Sequence, residues 1–220
     1  MENSFLIWLS SYLDFFWEKT PHEVARMFRR WFILFLVAGL PLLSGCAPDP
    51  KMVQKATFHF GLGTSYLQQG DPTSALRELY EAEKLNPKDP QVQHALGMAL
   101  SAKGKYNDAL EHYRKALELD PKYTEVHNTM GATYLEMGRW DEAIQEFNRV
   151  LKDILYLTPF FVHNNIGWAY YKKGDLNQAV ENYRKAIGMK PDFGLAHYNL
   201  GLAYRDRKQA DLSIDAFRRA

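Results

Sequence analysis

From residue 56 onward, apolar and small positions return with a period of about 34 residues. In each period an apolar residue stands beside Gly and an aromatic or Leu follows three residues later, and in all but the last Ala follows twelve after the Gly. Leu62, Gly63 and Tyr66 thus share one face of a first helix. Ala75 and Ala82, seven apart, share one face of a second. Gly63 has no side chain, so the second helix is expected to approach closely there. Gly70 lies between the two and predicts a left-handed residue that ends the first helix. Pro87 ends the second, because proline lacks the amide and clashes with the preceding turn. The frame recurs at Leu96, Gly97, Gly104, Ala109, Ala116 and Pro121. It recurs again at Met130, Gly131, Gly138, Ala143, Phe147 and Val150, then at Ile166, Gly167, Gly174, Ala179, Ala186 and Pro191. Leu200, Gly201, Tyr204, Phe217 and Ala220 open a last copy. The expected fold is all-α, a solenoid of five helix-turn-helix repeats at 56–89, 90–123, 124–159, 160–193 and 194–220, the last incomplete.

Two departures from this frame stand out. The third repeat has two surplus residues, which fall in the segment 152–159, KDILYLTP. Ile154, Leu155, Tyr156 and Leu157 therefore cluster near a turn, together with Phe160 and Phe161. Loops are seldom so apolar, and such a cluster either marks a contact patch or is buried by a half-turn extension of the preceding helix. The fifth repeat places Lys208 where the turn Gly belongs, and Ser213 where the first Ala belongs. A left-handed Lys208 costs roughly 1 kcal/mol.

The chain before the repeats reads as an address. Arg29 and Arg30 precede an apolar run from Trp31 to Leu43, which closes on Leu43-Ser44-Gly45-Cys46. This is the layout of a secretory signal over 27–45. A membrane-spanning anchor is the alternative, but the run falls short of the ~20 apolar residues needed and Pro41 interrupts it. The L-S-G-C ending resembles the lipobox of bacterial lipoproteins. That resemblance implies a lipidated Cys46 as first residue of the mature protein. Ala47 after it favours the outer membrane, facing the periplasm. Residues 47–55 are then a tether. Residues 1–26 carry four acids and several aromatics, unlike a signal. Either translation starts at Met27 or these residues form a real N-terminal extension.

Composition adds limits. Residues 1–46 hold four basic and four acidic residues of the chain's 27 and 26, so the remainder is near neutral. No basic tract invites nucleic acid. Cys46 is the only cysteine, which leaves no disulfide and no thiolate metal site. Phosphate-loop, dinucleotide, nucleophile-elbow and zinc-protease motifs are absent. No catalytic residue, cofactor, metal or small-molecule substrate is expected. His59, His127, His163 and His197 share one repeat position. Neighbouring helices lie ~8–10 Å apart, too far for one metal ion bound at ~2.0–2.1 Å, so packing is the expected role.

The repeats resemble the tetratricopeptide repeat family over residues 56–220. The resemblance implies a right-handed superhelical solenoid that binds proteins, with positions 2, 5, 9 and 12 of each first helix lining a concave face. In the fourth repeat these are Phe161, Asn164, Trp168 and Tyr171. In the fifth they are Leu195, Tyr198, Leu202 and Arg205, and in the second Gln91, His94, Met98 and Ser101. Chaperone-binding relatives hold a terminal carboxylate with Lys and Asn at positions 5 and 9. Position 9 here is Thr64, Met98, Ala132, Trp168 and Leu202, so a hydrophobic peptide or helix is the expected ligand. The alternative is that Trp168 and Tyr171 only pack against the next repeat. The lipobox and the run Leu151, Asp153, Leu155, Tyr156, Thr158, Pro159 also resemble the pilotin family of type IV pilus lipoproteins. That likeness implies secretin as partner and no enzyme activity. Two other readings remain open: a scaffold of an envelope polysaccharide or peptidoglycan synthesis complex, and a regulatory part of an enzyme whose catalytic domain lies beyond Ala220.

Overall fold

The computed structural model describes residues 49–220. Residues 1–26, the signal at 27–45 and Cys46 lie outside the described residues. Among the described residues there are ten helices and no strand. Helices α1 (Pro50–Gln68) and α2 (Pro72–Leu85) form the first repeat, α3 (Pro90–Ala102) and α4 (Tyr106–Leu119) the second. The third is α5 (Thr124–Glu136) with α6 (Trp140–Val150), and the fourth α7 (Pro159–Lys173) with α8 (Leu176–Met189). Helices α9 (Gly194–Asp206) and α10 (Ala210–Arg218) make the fifth. Each helix packs mainly on its chain neighbours, as in a stacked array. No described helix is long and apolar enough to cross a membrane.

Local chemistry accounts for the helix ends. Asp49, Asp71 and Asp89 each precede a Pro, and each side chain accepts a backbone N–H of the first turn. The Asp supplies the missing acceptor and the Pro has no donor to lose. Asp49 starts α1 at Pro50, so most of the expected tether is helical rather than extended. Between the helices of a pair, Gly70, Gly104, Gly138 and Gly174 are left-handed, with φ from 71° to 83°. Lys208 takes the same role at φ 60°, as its repeat position predicts. Its substitution by Gly should stabilise the chain by about 1 kcal/mol. Urea unfolding of Lys208→Gly checks this, and an unchanged midpoint would refute it.

Close helix contact is visible at Gly131. A Cβ built there would lie 2.6 Å from the Phe147 ring. Phe147 is wholly buried, and Gly63, Gly97, Gly167 and Gly201 face Leu79, Tyr113, Tyr183 and Phe217 in the same way. A large side chain on the second helix thus fills the space that a missing one leaves on the first. Beside this seam runs a row of polar pairs, each 19 residues apart. His59 Nδ1 meets Glu78 at 2.9 Å, and His112 Nδ1 meets the Gln93 side chain at 2.8 Å. His127 Nδ1 meets Glu146 at 2.7 Å, and His163 Nδ1 meets Asn182 at 3.2 Å. The equivalent partner of His197 is Ala216, and His197 Nε2 turns to the Pro191 carbonyl at 2.9 Å. His59, His127 and His163 are therefore engaged within their own repeats, and His197 with the last turn of the repeat before it. No group of three ligand-type side chains among the described residues is placed to hold a metal.

Candidate functional site

The candidate groove is built by α7 and α9, whose positions 2, 5, 9 and 12 recur at helical spacing on one face. Trp168 and Tyr171 stack, with ring centroids 5.4 Å apart and planes 18° from parallel. Lys172 Nζ lies 4.6 Å from the Trp168 ring centroid, a cation–π contact. The Tyr171 hydroxyl donates to Asp206 at 2.5 Å, and Arg205 Nε donates to the other oxygen of that carboxylate at 2.9 Å. These two bonds hold the Asp206 carboxyl below the ordinary carboxylate range, with Tyr171 the larger cause. The same bond raises the Tyr171 phenol. Tyr171 and Arg205 are thereby fixed across the repeat boundary.

Tyr198 is the free aromatic of the groove, half exposed and leaning on Phe217 at 5.7 Å. Leu202 is partly buried beside it in sequence register. Phe161 is exposed on one side and packs on Phe160 and Phe193 on the other, both at 4.7 Å between centroids. Asn164 departs from expectation. It is buried, 3% exposed, and its Oδ1 accepts from Asn199 Nδ2 at 2.9 Å. Asn164 thus ties the fourth repeat to the fifth and does not present its amide to a ligand. His94, a groove position of the second repeat, is likewise buried. It bonds the Tyr123 hydroxyl at 3.2 Å and the Thr129 hydroxyl at 3.0 Å. Repeat position alone signals neither burial, because each depends on a polar partner in the following repeat. Asp206, which repeat position did not single out, organises the far end of the groove. Its only sequence signal is its place beside Arg205.

The surplus segment of the third repeat is displayed in a loop rather than buried by a longer α6. Helix α6 stops at Val150 and does not extend over 152–158. Ile154, Leu155 and Leu157 stand 94%, 79% and 91% exposed. Tyr156 alone turns inward and packs on the central core. Asp153 pins the loop. Its Oδ2 accepts from the Thr124 hydroxyl at 2.7 Å and its Oδ1 from the Leu155 amide at 3.0 Å. Those bonds, the Thr124 one foremost, hold the Asp153 carboxyl low. A braced loop thus carries three large apolar side chains into solvent.

The comparisons agree with this architecture. Residues 53–93, 100–154 and 167–208 match three models of the tetratricopeptide repeat. No curated protein matches the chain by sequence. Among solved structures, MamA from Desulfovibrio magneticus RS-1 is 23% identical, with a TM-score of 0.68 over 78% of this chain and 94% of that one. The pilF protein of Pseudomonas aeruginosa is 24% identical, with a TM-score of 0.68 over 76% and 77% of the two chains. PilW, described as a widely conserved type IV pilus biogenesis factor, is 22% identical, with a TM-score of 0.69 over 74% and 75%. At such identities the likeness concerns the fold. Repeat frame, left-handed inter-helix turns and matched models together make this chain a tetratricopeptide-repeat protein, with the protein-interaction scaffold typical of that family.

Proposed function

We propose that the chain is a lipid-anchored scaffold of the bacterial envelope and a pilotin-like factor. It holds a hydrophobic segment of the secretin in the α7–α9 groove and assists secretin localisation and assembly in the outer membrane. The observation that carries the binding site is the aromatic groove, with Tyr198 half exposed beside the fixed Trp168–Tyr171 stack. Aromatic anchors next to Arg are the usual centres of protein interfaces. The pilus reading is favoured by the fold shared with PilW and pilF and by the signal ending at Cys46. MamA shares the fold equally, so the second reading is the one the sequence also leaves open, a scaffold of an envelope polysaccharide or peptidoglycan synthesis complex.

Photocrosslinking from Tyr198 and Leu202 in the native host separates these readings. Capture of secretin supports the first, and capture of polysaccharide or peptidoglycan synthesis enzymes supports the second. Tyr198→Ala should weaken binding of the captured partner roughly 30-fold, the scale of a 2 kcal/mol hot spot, with little change in thermal stability. Unaltered affinity would remove the groove from the mechanism. The anchor is tested separately: palmitate labelling should be lost in Cys46→Ser.

A further inference from the structure

The turns that join successive repeats, 86–89, 120–123, 151–158 and 190–193, share one edge of the array. Short connections make chain-neighbouring helices antiparallel, so the first helices of all repeats start at that edge. Asp49, the N-cap of α1, lies there too. The opposite edge carries the turns within repeats: 69–71, 103–105, 137–139, 174–175 and 207–209.

The two edges differ in apolar exposure. The braced loop places Ile154, Leu155 and Leu157 on the first edge, almost wholly in solvent. Met52, Phe161 and Leu195, in the first turns of α1, α7 and α9, add half-exposed apolar side chains to the same edge. On the opposite edge the turns present no exposed large apolar residue, and only Leu212, in the first turn of α10, is half exposed nearby. The first edge also has balanced charge. Asp49, Asp89, Asp120 and Asp153 each fold back to accept the amide two residues on. Lys88, Lys122, Lys152 and Lys190 occupy the same turns.

We infer that this edge is a membrane-facing surface whose occupant is a lipid bilayer, with Ile154, Leu155 and Leu157 inserted into it. Two observations favour lipid over a protein partner. The three side chains stand on a protruding loop and line no groove, and a fluid bilayer accepts a wedge without needing a complementary pocket. The same edge receives the anchor segment: three peptide units join Cys46 to Asp49, a reach of at most about 11 Å. A solenoid tethered so closely by that edge meets the bilayer with it. A second contact also suits lipidated proteins, in which one chain gives only marginal binding and stable attachment takes a further signal. Because the edge is near neutral, the contact is apolar and insensitive to salt and to anionic lipid. The inference rests in part on the anchor of the proposed function, and its test is chosen to separate the two.

The full chain, purified from membranes and reconstituted in phosphatidylethanolamine–phosphatidylglycerol vesicles, would carry an environment-sensitive fluorescent amino acid at Leu157. A second preparation would carry it at Lys103, on the opposite edge. The expected result is a blue-shifted emission at 157 that a lipid-borne quencher extinguishes and aqueous iodide does not, with the reverse at 103. The signal at 157 should survive about 1 M salt, where the screening length falls to about one-third of its value at about 0.1 M, and should survive omission of the anionic lipid. Equal iodide quenching at 157 and 103 in a chain shown to be lipidated overturns the inference while leaving the anchor intact. A shift at 157 that appears only on adding a protein partner overturns it as well. Lipid contact at 157 in a chain that lacks palmitate supports the inference and removes the anchor from the proposed function.

Discussion

Phe147→Ala should destabilise the chain by about 3–5 kcal/mol, the range for deleting a buried aromatic side chain. Phe147 is fully buried at the centre of the largest apolar cluster, where it fills the space opposite Gly131. A loss of that size is a large share of the 5–15 kcal/mol that holds a typical domain together. In a repeat array it is also local, since each repeat leans only on its neighbours. Unfolding should therefore lose its single cooperative step, as the damaged third repeat uncouples the first two from the last two. Urea titration followed by helical circular dichroism and by amide exchange checks both points. Gly131 supplies an internal control. Gly131→Ala alone forces a methyl into the Phe147 ring and should destabilise, while in the Phe147→Ala background the same methyl enters vacated space. The two substitutions should thus couple with opposite sign to simple addition. Additive effects would mean that the ring and the glycine are not partners.

Acidification should begin to weaken the fold above the range in which carboxylates titrate, chiefly through His94. Burial pushes this imidazole down from its ordinary 6.5 to about 4. Between those values the unfolded chain binds a proton that the folded chain refuses, so stability rises with pH there and is lost as pH falls. One such group amounts to about 3 kcal/mol between pH 7 and pH 4. Burial lowers His112 and His163 in the same direction, which adds to the loss. Carboxylates held low, such as Glu78 beside His59, add their loss as pH falls through the ordinary carboxylate range and below it. Urea midpoints at pH 7, 6, 5 and 4.5 measure the slope. His94→Gln keeps a side chain able to bond Tyr123 and Thr129 yet has no proton to gain, and its slope should be visibly shallower. A slope equal to that of the unaltered chain would place the acid sensitivity elsewhere.

What was legible in the residues was whatever repeats. Gly131 opposite Phe147, the left-handed Gly70 and even the strained Lys208 follow from a frame that each repeat states again. Local capping was less visible, and Asp49–Pro50 converts an expected tether into the first turns of α1. The groove was legible only in outline. Trp168 and Tyr171 stack on one helix face and Tyr198 stands half exposed on the next first helix. Asn164 and His94 occupy equivalent repeat positions, but Asn199 and Thr129 of the next repeat draw them inward. Such partners vary from copy to copy, so periodicity carries no information about them. The 152–158 segment was ambiguous for a related reason. An apolar run reads alike whether a helix buries it or a loop displays it, and here the side-chain bond from Thr124 to Asp153 settles on display.

The polar pairs 19 residues apart bear on a hazard of any chain made of near copies, which is that a helix can dock on the wrong partner while folding. Apolar faces alone discriminate poorly, since every first helix offers a similar Gly-lined stripe. If α1 docked on α4, His59 would meet His112 in place of Glu78. Two imidazoles would then share a site with no carboxylate, and Glu78 and Gln93 would both lose their partners. The His59–Glu78 pair, which first looks like part of a metal stripe, thus favours α2 over α4 as the partner of α1.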